Sequence, residues 1–377
     1  MKSKSTKLKK IAIALLKVCV SVALLSYLSY KAWQDEAFNQ LWAGSKHWSI
    51  LGAALVVTLA AVSITFVRWY CLVRAAGVPF LMRDAFRLGF LGFLFNFFSL
   101  GIIGGDVLKA VFLARSSEGQ RVEAAASVVI DRLIGLYGML VVGTIAFLLV
   151  DLNQFGVGGE TEIRAIHHLA RFTIALTIAG ALGGLVLFLP MSVTRPFTSQ
   201  LVVLPLVGNF TAKVLRALAV YRRRTAVLVA MFLLSLGVHV LNSISIYLVA
   251  QGLPNEAPGL QAHFVIAPMA MIAGAFPLPG GFGAFEIALD FLYRGMASVP
   301  TAASQGFVVA LAFRVIQILI ALIGVVYYFT GRREVDELVK EAEHQAEQEE
   351  GSGAPAGDSY SGLAVRTTAL HHETNGI

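Results

Sequence analysis

Charge is scarce in this chain. Only 14% of its 377 residues are Asp, Glu, Lys or Arg, while 57% are apolar, and a soluble domain of that size would lack the charge to cover its surface. The few charges are segregated: long stretches hold one ionisable residue or none, whereas the first ten residues hold Lys2, Lys4, Lys7, Lys9 and Lys10. Cysteine is nearly absent, and Cys19 and Cys71 lie in apolar or membrane-edge contexts, which implies no disulfide framework. There is no GxxxxGKS/T phosphate loop and no HExxH, so neither a built-in ATPase nor a zinc protease is indicated. His167 and His168 lack spaced partners, and no metal centre or cofactor is expected. No Ser/His/Asp set stands out, and the reading leans away from an enzyme. The net charge of +7 comes from basic residues beside apolar runs, where they set topology and meet anionic lipid headgroups. Nucleic acid is not an expected partner.

What is abundant is apolar helix. About 20 consecutive apolar residues cross the hydrocarbon, because unpaired backbone groups are not tolerated there. Such runs cover roughly 11–30, 49–67, 124–150, 172–189, 226–250 and 304–329. The first lacks a small-x-small cleavage site and ends in Tyr27, Tyr30 and Trp33, so it reads as a retained span with an interfacial belt. Two further apolar segments are interrupted: 88–103 by glycines, and 263–296 by Pro268, Pro277, Pro279, Gly280, Gly281 and Gly283. The expected fold class is all-α, a polytopic transmembrane helical bundle of six full spans plus two interrupted or re-entrant segments. Residues 1–10 form a basic cytoplasmic N-terminus, 11–330 the transmembrane domain, and 331–377 a polar cytoplasmic tail whose composition cannot build a core.

Loop charge arranges these segments. If 88–103 crossed fully, the acidic 151–168 connection would lie inside and the basic 191–225 connection outside, against the positive-inside tendency. If it dips in and returns, every basic connection shares one side with the N-terminus. The same accounting makes 263–296 cross an even number of times. Interrupted hydrophobic segments in corresponding places of two halves are the sequence mark of an inverted repeat around a midplane site.

Three constellations carry candidate chemistry. In 96–109, Gly104 and Gly105 permit a sharp turn, and Asp106 and Lys109 share a face of any helix starting there. Asn96 lies just upstream, and a helix start with free N–H groups also suits an anion. The bland alternative is a helix end followed by an Asp-capped helix. In 277–286, two prolines and three glycines break any ordinary helix, and Glu286 follows the break. An intramembrane acid is a functional candidate, the alternative being a structural acid paired with Arg314. Arg314, deep in the last span, requires a partner, with Glu286 and Asp290 nearest in sequence. Asp131 and Arg132 form the third set, read either as an interfacial ion pair orienting the helix or as part of a binding site.

These motifs together resemble the flippase-like transmembrane family, also described as the lysylphosphatidylglycerol synthase transmembrane region. The resemblance rests on Asn96 with Gly104, Gly105, Asp106 and Lys109; on Asp131, Arg132, Gly135 and Leu136; on Pro279, Gly280, Gly281, Gly283 and Glu286; and on Arg314. It covers roughly residues 10–330. Phe97 and Leu100 depart from the asparagine and proline usual in the first motif, leaving that bend less polar and less kinked. No aminoacyl-transferase domain is readable after the last span, so the resemblance implies the stand-alone membrane module.

The resemblance implies a lipid transporter or flippase in the bacterial inner membrane, multi-pass, with both termini cytoplasmic. Its cargo is expected to be an amphiphilic lipid with an aminoacylated or glycosylated phospholipid-like headgroup. Asp106 and Glu286 would meet cationic headgroup atoms or protons, and Lys109 and Arg314 a phosphate. The alternatives are a membrane enzyme or enzyme subunit acting near Lys109, Asp131 and Arg132, and a scaffold binding a synthase partner through the basic 191–225 connection.

Overall fold

A computed structural model of the chain describes residues 19, 22–35, 39, 41, 42, 44–98, 105–116, 120–152, 160–185, 214, 217–254, 257–275, 283–296, 304–332, 335, 337 and 338. Residues 22–34 are helical, and half of the expected first span, residues 11–18, 20 and 21, lies outside the described residues. So do the basic residues 1–10, the tail beyond 338, and Gly104, Pro277, Pro279, Gly280 and Gly281.

The described residues hold helices and no strand. In chain order the long elements are α1 (Trp48–Ala75), α2 (Met82–Phe98), α3 (Gly105–Ser116), α4 (Arg121–Leu149), α5 (Glu160–Leu185), α6 (Thr225–Gly252), α7 (Leu260–Gly274), α8 (Ala284–Gly295) and α9 (Gln305–Thr330). Five of them (α1, α4, α5, α6 and α9) are long and apolar enough to cross a bilayer. They turn large apolar side chains such as Leu149, Phe172, Leu182, Leu322 and Val326 outward, as a lipid-facing surface demands. The boundaries of two expected spans shift. α1 does not stop at Val67 but runs on through Arg68 and Trp69, both buried, because their partners are other helices and not headgroups. α5 starts at Glu160, so His167 and His168 lie on a helix and not in a loop. His167 hydrogen bonds the Ile163 carbonyl, and no cluster of three metal-ligating side chains occurs among the described residues.

The second interrupted segment is a pair of short antiparallel helices, α7 and α8. The first, expected at 88–103, holds only part of α2, and its return limb is α3, because Asp106 and Lys109 find partners inside the bundle and need not lie in a connection. In the first hairpin Gly105 lies against Gly92, while Leu88 and Leu113 share a cluster nearer the open end. In the second, Gly274 abuts Phe285 at the tip, and His263 bonds Tyr293 near the base (2.6 Å). Small residues at the tips let the paired backbones approach closely.

The packing has an internal two-fold relation. Exchanging α1–α4 for α6–α9 returns every helix pairing among those eight elements. α1 runs antiparallel to its mate α6: His47 donates its N–H to the Gly252 carbonyl (3.0 Å), Thr58 bonds Ser245, and Arg68 donates to Ser235 (2.9 Å). The two hairpins therefore enter from opposite faces, which is the inverted repeat expected from the sequence.

One face collects the basic connections. Tyr221 donates to the Leu72 carbonyl (2.8 Å), Arg115 pairs with Glu337 (2.9 Å), and Gly331 lies against Arg87. The C-terminus of α1, the base of the first hairpin, the N-termini of α4 and α6 and the C-terminus of α9 thus share that face. After α9, Val335 and Leu338 pack on Leu91, Leu108 and Val111 of the first hairpin. Single cysteines placed for Arg115 and for Arg223 in a Cys19→Ala, Cys71→Ala background should react with an impermeant maleimide from one side. A cysteine for Ser45 should react only from the other. Opposite labelling of residues 115 and 223 would overturn the hairpin assignment.

Candidate functional site

A cavity of about 480 Å³ opens between the first hairpin, α1, α4 and α6, and reaches Met271 and Ala275 of the second hairpin and Gln317 of α9. Its charged end is built from Arg68, Asp106, Lys109, Asp131 and Arg132, and its apolar wall includes Val62, Phe66, Phe93 and Met139. Five of the expected site residues, Asn96, Asp106, Lys109, Asp131 and Arg132, line this one space. The combination of a few convergent polar groups with an apolar wall is the usual make-up of a ligand cavity.

The first hairpin positions its share through its tip. The Gly105 N–H donates to Asn96 Oδ1 (3.0 Å), which closes the turn and satisfies one of the free donors at the start of α3. Asp106 then occupies the first turn of α3, where a carboxylate suits the positive end of the helix. Arg132 Nε donates to Asp106 Oδ2, and Lys109 Nζ stands 4.0 Å from the other oxygen. Lys109 also lies over the Trp69 ring at 4.9 Å, a cation–π contact that holds an ammonium where water is scarce.

Asp131 and Arg132 do not pair with each other, contrary to one sequence reading; neighbouring positions on a helix point about 100° apart and seek different partners. Asp131 binds Arg68, which donates from Nε to Oδ1 (2.8 Å), from Nη2 to the Asp131 carbonyl (3.3 Å) and from Nη1 to Ser235 (2.9 Å). That pair is nearly sealed, whereas Arg132 keeps 60% of its side chain exposed.

Glu286 and Arg314 form a second centre. Gly283 adopts φ +94°, a left-handed conformation that side chains resist, and its N–H donates to Glu286 Oε2 (2.6 Å). The carboxylate thus caps α8 as in a capping box. The other oxygen accepts from Arg314 Nε (2.7 Å), and Arg314 also bonds Gln317 (3.2 Å) and covers the Phe285 ring (4.9 Å). Neither charge lines the cavity; Glu286 is fully buried, and Gln317 is the residue that connects the pair to the space. Asp290, the other acid offered for Arg314, pairs with Arg294 at 2.6 Å. Under the two-fold relation, Asp106 on α3 with Arg132 on α4 corresponds to Glu286 on α8 with Arg314 on α9.

Sequence reasoning missed Arg68, His239, Asn242 and Gln317. The signal lay in α6, where Ser235, His239 and Asn242 recur at helical spacing within an apolar span and are all buried. His239 bonds the Gly135 carbonyl (2.8 Å), so one of the family-like positions on α4 serves helix packing. No curated protein matches the chain. The model of the lysylphosphatidylglycerol synthase transmembrane region matches residues 13–324, and the chain belongs to that family.

Proposed function

We propose that the protein binds an amphiphilic lipid by its headgroup in the hairpin cavity and moves it between the two leaflets of the bacterial inner membrane. The observation that carries this reading is a single cavity with charged residues at one end and an apolar wall at the other, lying between two hairpins of opposite entry. A headgroup needs the first, its acyl stem needs the second, and passage between leaflets needs access from both faces. The face that gathers Arg74, Arg83, Arg115 and Arg223 is the cytoplasmic one by the positive-inside tendency, which puts both termini there. A membrane or cytoplasmic synthase partner would then meet the protein on this basic face.

The test is transbilayer redistribution of tail-labelled phospholipids in vesicles carrying the purified protein. Wild type should equilibrate the leaflets, and the Lys109→Gln, Arg132→Gln double variant should do so about tenfold more slowly, since each lost charge-assisted hydrogen bond is worth a kcal/mol or more. Equal rates for wild type, the double variant and protein-free vesicles would refute the transport reading. Chemical turnover of the labelled lipid would favour the enzyme alternative.

A further inference from the structure

We infer that the hairpin cavity selects a headgroup of net negative charge built on a single phosphate, and discriminates against an aminoacylated, net cationic one. This rests on the reading of the cavity as a headgroup site. The charged residues at its wall are Arg68, Lys109 and Arg132 against Asp106 and Asp131, one cation in excess, with His239 committed to a backbone carbonyl.

The excess is not spread evenly. Asp131 is consumed by Arg68, whose guanidinium reaches its carboxylate, its carbonyl and Ser235. Asp106 is left to serve two cations: Arg132 holds it tightly, and Lys109 stands off at 4.0 Å. The surplus charge therefore sits at the tip of the first hairpin.

The same corner has donors to spare and few acceptors. Arg132 uses Nε on Asp106 and keeps the outer nitrogens of its fork, the shape that meets a phosphate with two parallel bonds. Lys109 has an aromatic face and one distant carboxylate. Asn96 gives its carbonyl oxygen to Gly105, which leaves its amide NH2 as a donor. A phosphate would complete Arg132, Lys109 and Asn96 together. An incoming ammonium would have to compete with Arg132 and Lys109 for Asp106 while facing both as like charges, and like charges at close range are unfavourable.

The apolar side of the cavity, with Val62, Phe66, Phe93 and Met139, continues from this corner and suits the stem of a lipid better than a free anion. A lipid and a free phosphomonoester share the recognised chemistry, and the test separates them.

The full chain in nanodiscs of zwitterionic phosphocholine lipid is titrated with three short-chain lipids: a phosphoglycerol lipid (net −1), its lysyl ester (net +1) and a phosphocholine lipid (net 0). Glycerol phosphate is the fourth ligand. Binding of the −1 lipid should be about tenfold tighter than of the other two, and glycerol phosphate should bind far more weakly. Arg132→Gln should erase the preference. Asp106→Asn is decisive, because it adds a net positive charge: it should keep or strengthen binding of the −1 lipid, whereas a site for a cationic headgroup would lose its ligand. Each variant is admitted only if it elutes as wild type and unfolds cooperatively, and Asp106→Ser, which also removes the carboxylate charge, serves where Asp106→Asn does not. Tighter binding of the +1 lipid, or loss of −1 binding in folded Asp106→Asn, would overturn the inference, and glycerol phosphate binding as tightly as the lipid would reassign the site to a free anion. Binding is read without transport, so selective binding with no redistribution in vesicles would sink the transport reading alone.

Discussion

Glu286→Leu should destabilise the protein by about 3–5 kcal/mol, the usual cost of stripping one partner from a buried ion pair. The carboxylate accepts from the Gly283 N–H and from Arg314 Nε, and its side chain has no exposed surface. Removing it leaves a guanidinium inside the bundle that cannot shed its proton. Arg314→Met should cost less, about 1–3 kcal/mol, because no cation is left buried and the Glu286 carboxyl keeps its bond from the Gly283 N–H. The double variant should be more stable than Glu286→Leu alone, since the buried cation that lost its carboxylate is gone. Reversible unfolding in detergent, read as a double-mutant cycle, checks the order. Additive costs would mean that the two side chains are independent and that the pairing is incidental.

Gly105→Ala is the second large effect. A Cβ at Gly105 would fall far inside contact distance of the Gly92 carbonyl and the backbone around it. No flexible side chain can give way there, so two backbones must part. The expected cost is about 3 kcal/mol, at the upper end for overpacking. The damage also reaches the cavity, because parting the helices breaks the Gly105–Asn96 bond and moves Asp106 and Lys109 off Arg132. Gly183→Ala makes the control: that glycine lies within α5 with nothing near its missing Cβ, and the change should be neutral or stabilise by about 0.5–1 kcal/mol. Thermal midpoints of the two purified variants decide it. Similar midpoints for both would show that the hairpin does not depend on the Gly92–Gly105 contact.

Much of this arrangement could be read from the chain because membranes simplify the reading. The spans announce themselves by hydropathy, and the two hairpins by glycine and proline where a span should be uniform. The repeat followed from loop charge, since only a returning 88–103 segment puts all the basic connections on one face. The partners of individual charges were less legible. Arg68 meets Asp131 across 63 residues, and Arg132 turns away from its neighbour to reach Asp106 on another element. Pairings of that kind depend on how helices cross, which no local pattern encodes. Arg68, followed by Trp69 and Tyr70, has the sequence pattern of a membrane edge. Because α1 continues to Ala75, Arg68 lies roughly 10 Å from its end at 1.5 Å per residue. Ser235, His239 and Asn242 were hidden for a different reason: hydropathy averages over a span, and three polar residues on one face barely lower it.

The contact of Val335 and Leu338 with Leu91, Leu108 and Val111 redraws the edge of the domain. The family match ends at residue 324, and α9 ends at Thr330, yet both later side chains are almost fully buried. A protein cut at either of those residues would expose an apolar strip along the outer side of the first hairpin, next to the basic face. The smallest piece that keeps its hairpin covered therefore extends to Leu338, past the end of the family match.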